Sequence, residues 1–144
     1  MITAKSFVGV WQLLDVKSDD GQGNPLIITN RGRMFFSDNG YFSASSTQEN
    51  RKRFSCLNFS DVSNEEIRTA FETYVASYGT YQVDLPNKLL ILNMEAALHP
   101  DWVGTQQIRE YDFDRQGNLH LRISASSITH PSAFAVLSWG KIDE

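Results

Sequence analysis

Cysteine is nearly missing from this chain: one residue, Cys56, in 144. A lone thiol excludes an intrachain disulfide and a zinc site built on cysteines. Basic excess is missing as well. A net charge of −4 leaves no footprint of the kind nucleic-acid binders carry, so no nucleic-acid partner is expected. The single basic cluster, Arg51-Lys52-Arg53, reads as a solvated loop or edge, with anion binding as the lesser alternative. Long apolar runs are absent too; none approaches the roughly 18 residues a membrane span needs. The start, "MITAKSFVGVWQLL", has no basic segment followed by an extended apolar one, so neither a signal peptide nor a membrane partner is expected. These absences suit a soluble, cytoplasmic protein in a reducing compartment. There is no phosphate-cradling glycine loop, dinucleotide fingerprint or nucleophile elbow, and no cofactor is expected.

What remains is a length suited to one domain, Met1–Glu144, long enough to bury a core without staples. Most of it reads as strand and turn. "SFVGVWQLLDVKS" is apolar and β-compatible and ends at the turn-forming "DDGQGNP". "PLIITNRGRMFFS" is a strand with a bulge or bend expected near Gly32. "DNG", Asp38 to Gly40, marks a tight turn into the returning "YFSASS", so residues 25–47 read as a hairpin. The polar span from Thr47 to Asp61 has no clear assignment. After Gly79 come "TYQVD", "KLLILNME", "VGTQQIREYDFD", "LHLRIS" and "AFAVLSWGK", separated mostly by short turns.

"SNEEIRTAFETYVASYG" is the one helical stretch. Ser63 and Glu66 have capping-box spacing. Ile67, Phe71, Tyr74, Val75 and Tyr78 share a face at helical spacing, and Gly79 follows as a C-cap. Eight strand candidates with no βαβ alternation predict an all-β fold with one helix: an antiparallel up-and-down barrel of eight strands, the helix covering one end. Such a barrel has room for one small ligand.

"GVWQL", Gly9 to Leu13, matches the Gly-x-Trp signature of the first lipocalin strand. Beyond it, "EEIRTAFETYVASYGTYQVD" and "PDWVGTQQIREYDFD" resemble the helix-to-strand and Pro-x-Trp-Val-Gly-Thr segments of the bacterial and fungal lipocalin-like domain family. The likeness extends over nearly the whole chain. It implies a small intracellular, calycin-type barrel. It also implies that Trp11 closes the barrel bottom against a basic side chain, Arg122 or Lys141.

Strand alternation puts Gln107, Arg109, Tyr111 and Phe113 on one face of "QQIREYDFD". Facing the lumen, Arg109 needs a partner: an anionic ligand, or an internal carboxylate such as Glu95. The resemblance favours the inward direction. Tyr74, Tyr78 and Tyr81, joined by Phe71 and Trp102, read either as plain core or as a polar-tipped aromatic mouth.

His99, His120 and His130 have no metal-ligand spacing, and no metal is expected. In "NLHLRIS", Leu119, Leu121 and Ile123 share one face and His120 and Arg122 the other. His99 reads as a loop histidine, or as a general acid or base if it reaches the rim.

Two functions stand side by side, and the sequence does not say whether the protein is an enzyme. One is a barrel holding a small hydrophobic or amphipathic, anionic ligand, with Arg109 as anchor beside Gln107, Tyr111, Tyr81, Tyr74, Tyr78, Trp102 and Phe71. The other is a cofactor-free isomerase or cyclase acting on a polyketide- or terpenoid-like substrate, with His99, Arg109, Tyr81 and Glu95 as candidate catalytic groups; this rests on analogy with recruited lipocalin-like barrels. A third, weaker reading is a lumen filled by its own side chains. A homodimer stays open.

Overall fold

The computed structural model describes residues 1–19, 30–123 and 134–142. Eight strands run in chain order: β1 (Gly9–Asp19), β2 (Asn30–Phe36), β3 (Tyr41–Gln48), β4 (Tyr74–Asp84), β5 (Leu89–Ala97), β6 (Gln106–Phe113), β7 (Leu119–Ile123) and β8 (Phe134–Lys141). Each pairs antiparallel with the next, and β8 returns to pair with β1. The meander therefore closes into the barrel that the turn spacing predicts, which removes the open edges. The first terminator lies almost wholly outside the described residues, as does the part of the expected hairpin before Asn30. The rest of that hairpin is present. Ser37 and Tyr41 flank its turn, the Ser37 amide donating to the Tyr41 carbonyl at 2.8 Å.

Side chains alternate between lumen and outer wall, with the phase of β1 shifting at an irregularity between Leu13 and Asp15. Leu90, Leu92 and Met94 of β5 are buried, as are Leu119 and Leu121 of β7. No bulge occurs at Gly32: the β2–β3 register runs unbroken from Asn30↔Gln48 to Phe36↔Phe42. A Cβ at Gly32 would lie 3.4 Å from the Trp139 ring. The tighter contacts would be with the Ser45 carbonyl and the Ser46 Cβ, both at 3.1 Å, so the glycine eases a close approach of β3 and does not bend the strand.

One end is plugged. The chain before β1 makes a short 3-10 turn, Ala4–Phe7, that pushes Phe7 into the barrel, where it is fully buried. Its ring meets Tyr111, Phe113 and Phe36 edge-on, with centroids at 5.0, 5.2 and 5.9 Å. Each such pair adds about 0.5–1.5 kcal/mol beyond its buried area. Trp11 lies beside them, 1% exposed, its Nε1–H donating to the Phe7 carbonyl at 2.8 Å. Lys141 places its Nζ 5.5 Å from the Trp11 ring centroid, so Lys141 is the basic partner. This contact explains the Gly-x-Trp spacing. Gly9 has φ +135°, and a Cβ there would strike the Lys141 stem at 2.7 Å. Glycine accepts that backbone and leaves the lysine a path to the tryptophan.

The helix is shorter than its periodicity suggests. It spans Asn64–Glu72 (α1), and residues 74–79 belong to β4. Its start is as read: Ser63 Oγ accepts from the Glu66 amide at 3.2 Å, and the Ser63 amide returns a bond to Glu66 Oε1 at 3.4 Å. Its end is set from outside. Arg51 donates through Nη2 to the Ala70 carbonyl at 2.9 Å and through Nε to Thr73 Oγ1 at 3.0 Å, and its guanidinium lies 5.3 Å from the Tyr74 ring centroid. The first residue of the basic cluster thus satisfies a carbonyl at the end of the helix, whose C-cap is Thr73. From Tyr74 onward β4 forms a ladder with β3, from Thr47↔Tyr74 to Tyr41↔Thr80. Those inter-strand bonds, with β-favouring Tyr and Val side chains, outweigh a periodicity that fitted either structure. Gly79 is therefore not a C-cap. It sits where the β4–β5 register shifts, and a Cβ there would overlap the Asn93 carbonyl. Nor does α1 bury an apolar stripe: none of its residues is buried.

Candidate functional site

Opposite the plug the lumen is hollow. A cavity of about 270 Å³ lies among inward residues of all eight strands, including Val16, Met34, Ala44, Met94, Leu121 and Trp139. It is mostly apolar because each strand contributes every second side chain and those positions carry Val, Leu, Met and Ala. It is open because several of the inward positions are small: Ala44, Ser46, Ser77 and Ala135 leave space that Phe and Trp fill at the other end.

Arg109 is the one charged side chain among the described residues of this wall. Alternation on β6 turns it inward with Tyr111, as the sequence suggests. It is half-buried. Its Nη1 donates to the Ile108 carbonyl at 3.2 Å and its Nη2 reaches Gln107 Oε1 at 3.5 Å. Among the described residues no carboxylate forms an ion pair with it. Loss of water around the guanidinium pulls its pKa down to about 10, which leaves it cationic at neutral pH. Glu95, the internal partner considered above, is exposed on β5, out of phase with the inward Leu92 and Met94. A guanidinium has five donors in a fixed fork, so Arg109 has capacity for an anion.

Gln107 stands beside Arg109 through the contact just given. Trp102 reaches the cavity from a short 3-10 turn, Pro100–Trp102. His99 stacks on Trp102 at 4.4 Å between centroids and meets Phe71 of α1 edge-on at 5.0 Å. The helix is thereby tied to the open end through Phe71, His99 and Trp102. His99 is at the rim, not on the cavity wall.

The tyrosines are dispersed. Tyr81 and Tyr111 face inward but belong to the plug. Tyr81 packs on Phe36 at 4.8 Å and donates its hydroxyl to the Ser37 carbonyl at 2.7 Å. Burial, with the Asp38 charge nearby, raises its pKa. Tyr111 is buried against Phe7. Tyr74 and Tyr78 point outward from β4, Tyr78 being 55% exposed. The aromatic mouth of three tyrosines, the alternative to plain core, is not formed, because residues 74–79 follow a two-residue period in place of a helical one. Met34, Met94, Leu121 and Trp139, which do line the cavity, were visible in the sequence only as ordinary alternating apolar positions.

A wider hollow of about 480 Å³ lies against the outer wall near Gln12, Arg31, Arg33, Thr47 and Tyr74. It is lined by polar and apolar groups in similar measure, Leu13 and Phe35 among them. The smaller lumen cavity is the stronger candidate, because a charge there is desolvated and attracts a counter-ion far more strongly. Among the described residues no group of three His, Cys, Asp or Glu side chains is placed to hold a metal. His130 lies outside the described residues. Cys56 is half-buried, its Sγ 3.5 Å from the Asn58 carbonyl.

An eight-stranded closed meander, plugged at one end and hollow around a cation at the other, defines a small barrel with an open lumen. Over residues 8–142 the chain matches the model of a family described as a lipocalin-like domain, and it belongs to that family. No curated protein matches the chain. Membership suggests small-molecule binding. Among the described residues, no helix is long and apolar enough to cross a membrane.

Proposed function

We propose that this barrel holds a small hydrophobic or amphipathic anion in its lumen, with Arg109 anchoring the acidic group and Gln107 beside it. One observation carries the proposal: an apolar cavity of about 270 Å³ has in its wall a cation that no described carboxylate neutralises. An unpaired charge inside a protein is costly, and an anionic ligand would offset that cost. Trp102 would cover the ligand's apolar body, and the Phe71–His99–Trp102 stack would control entry at the rim. The isomerase or cyclase reading draws no support from its candidate groups. Glu95 is on the outer wall, Tyr81 is in the plug and His99 is at the rim, so they do not share one cavity with Arg109.

The test is native mass spectrometry of the purified chain, followed by identification of any co-purified ligand. An adduct carrying a carboxylate, enolate or phenolate is expected, and it should be lost from Arg109→Ala. Full ligand retention by that variant would show that Arg109 is not the anchor.

A further inference from the structure

Away from the lumen, three polar side chains converge on the outer wall. His120 of β7 and Ser138 of β8 are cross-strand partners, both out of phase with the inward Leu119, Leu121 and Trp139. Asp114 stands in the turn between β6 and β7. His120 joins the other two: its Nδ1 is 2.8 Å from Ser138 Oγ, and its Nε2 is 3.0 Å from Asp114 Oδ2.

The direction of each bond follows from Asp114. Its Oδ1 accepts the amides of Gln116 and Asn118, both at 2.9 Å, which fixes the carboxylate and leaves Oδ2 for the imidazole. Burial pushes its pKa up, but the hydrogen bonds from Asn118, His120 and Gln116 outweigh this and hold it below the usual carboxylate value. An ionised carboxylate only accepts. In the neutral ring, Nε2 therefore carries the proton and Nδ1 is the acceptor. Ser138 must donate its hydroxyl proton to Nδ1. A brace needs only contact; this chain of bonds aims a hydroxyl proton at a base whose tautomer is set by a carboxylate, the arrangement that activates a serine. The ring nitrogens are exchanged relative to the common template, but each group has the same role.

The group is reachable, since the Asp114 and His120 side chains are 29% and 32% exposed. Lys17 of β1 and Arg122 of β7 both pair with Val136, two residues from Ser138 on the same face. Both long cations are thus diagonal neighbours of Ser138, and Asp15 of β1 is its direct cross-strand neighbour.

We propose that Ser138 is a nucleophile that takes an acyl group from small activated esters at the outer barrel wall, with His120 as its base and Asp114 as the positioning residue. Ser138 Oγ forms a bond to the ester carbonyl carbon while its proton passes to His120 Nδ1. The ester C–O bond then breaks, and the leaving oxygen takes that proton. Water attacks the acyl-serine by the same route and releases the acid.

The experiment treats the intact chain with a fluorophosphonate probe, which forms an Oγ–P bond and expels fluoride, and locates the adduct by peptide mass spectrometry. Ser138 should be labelled while the outward Ser43 and Ser45 are not. His120→Gln should slow labelling by about 100-fold or more. Asp114→Asn should slow it too, with partial recovery in Asp114→Glu, which a merely structural role would not produce. No adduct on Ser138 of the natively folded wild-type chain would overturn the proposal. So would an equal labelling rate in a folded His120→Gln variant.

Discussion

The two ends of the barrel obey the same strand alternation and differ in what the inward positions carry. At the plugged end Phe7, Trp11, Phe36, Tyr81 and Tyr111 fill the lumen, and the polar atoms of Trp11 and Tyr81 are met by backbone carbonyls. At the open end Ala44, Ser46, Ser77 and Ala135 leave a cavity, and Arg109 brings a charge with no described carboxylate to meet it. Side-chain size therefore decides where a barrel is solid and where it is hollow, while the backbone is the same at both ends. Stability is concentrated where packing is dense, and binding is expected where it is not.

The largest effect should come from the plug. Phe7→Ala is expected to lower the unfolding free energy by about 3–5 kcal/mol in a urea titration. Leu137→Ala, on the cavity wall and only partly buried, should cost clearly less, since its space merges with an existing void. Equal losses would mean that the ends do not differ in packing. Next in size is the charge at the open end. Arg109→Met should leave stability no lower, because a desolvated cation is removed. It should also weaken decanoate binding by roughly 10- to 100-fold while leaving decanol unchanged, in line with about 1.5–3 kcal/mol for a charged hydrogen bond. Parallel losses for acid and alcohol would mean that shape, not charge, holds the ligand.

The pH dependence follows from the depressed pKa of Arg109. The cation persists below about 10, so decanoate binding should be steady up to that pH and weaken above it. For folding the sign is opposite: the cost of burying this charge is present below about 10 and is relieved as pH rises toward the unfolded value. A binding curve that ignores pH 10, or one that Arg109→Met shares, would remove the arginine from the explanation.

Smaller still is Ser63→Ala, which should cost the helix about 1 kcal/mol and appear as faster amide exchange in α1, with the plug unaffected. The smallest effect concerns Asp114. Its lowered carboxyl contributes stability that is present above the unfolded value of 3.8 and is lost as pH falls through its lower folded value. Wild type and Asp114→Asn should therefore differ slightly in urea midpoint at neutral pH and converge in acid. A gap that survives acidification would tie the effect to turn geometry and not to charge.

Much of this was legible locally. The "DNG" turn, the shared face of Gln107, Arg109 and Tyr111, the placing of His120 and Arg122 on the face opposite Leu119 and Leu121, and the Ser63–Glu66 capping box all depend on residues within a few positions of one another. The error over residues 74–79 has a physical origin: Tyr74, Val75 and Tyr78 satisfy a helical period, yet their chemistry suits a strand. Only the ladder with β3 decides between the two. The placement of Tyr81 was missed for a related reason. Alternation says that it faces inward, but which end of the lumen it reaches depends on the register with its neighbours. Asp114, His120 and Ser138 were each visible singly, and nothing linked them until β7 and β8 were aligned.

The sequence by itself determined the number of strands, their turns, the inward and outward phase of most side chains and the Gly9–Trp11 signature, because these depend on two-residue alternation and on turn chemistry. Tertiary structure alone decided where α1 ends, which end of the barrel is plugged, that Glu95 and Arg109 stand on opposite faces of the wall, and that His120 meets both Ser138 and Asp114. Those outcomes depend on strand register and barrel closure, which join residues far apart in the chain and leave no trace in local pattern.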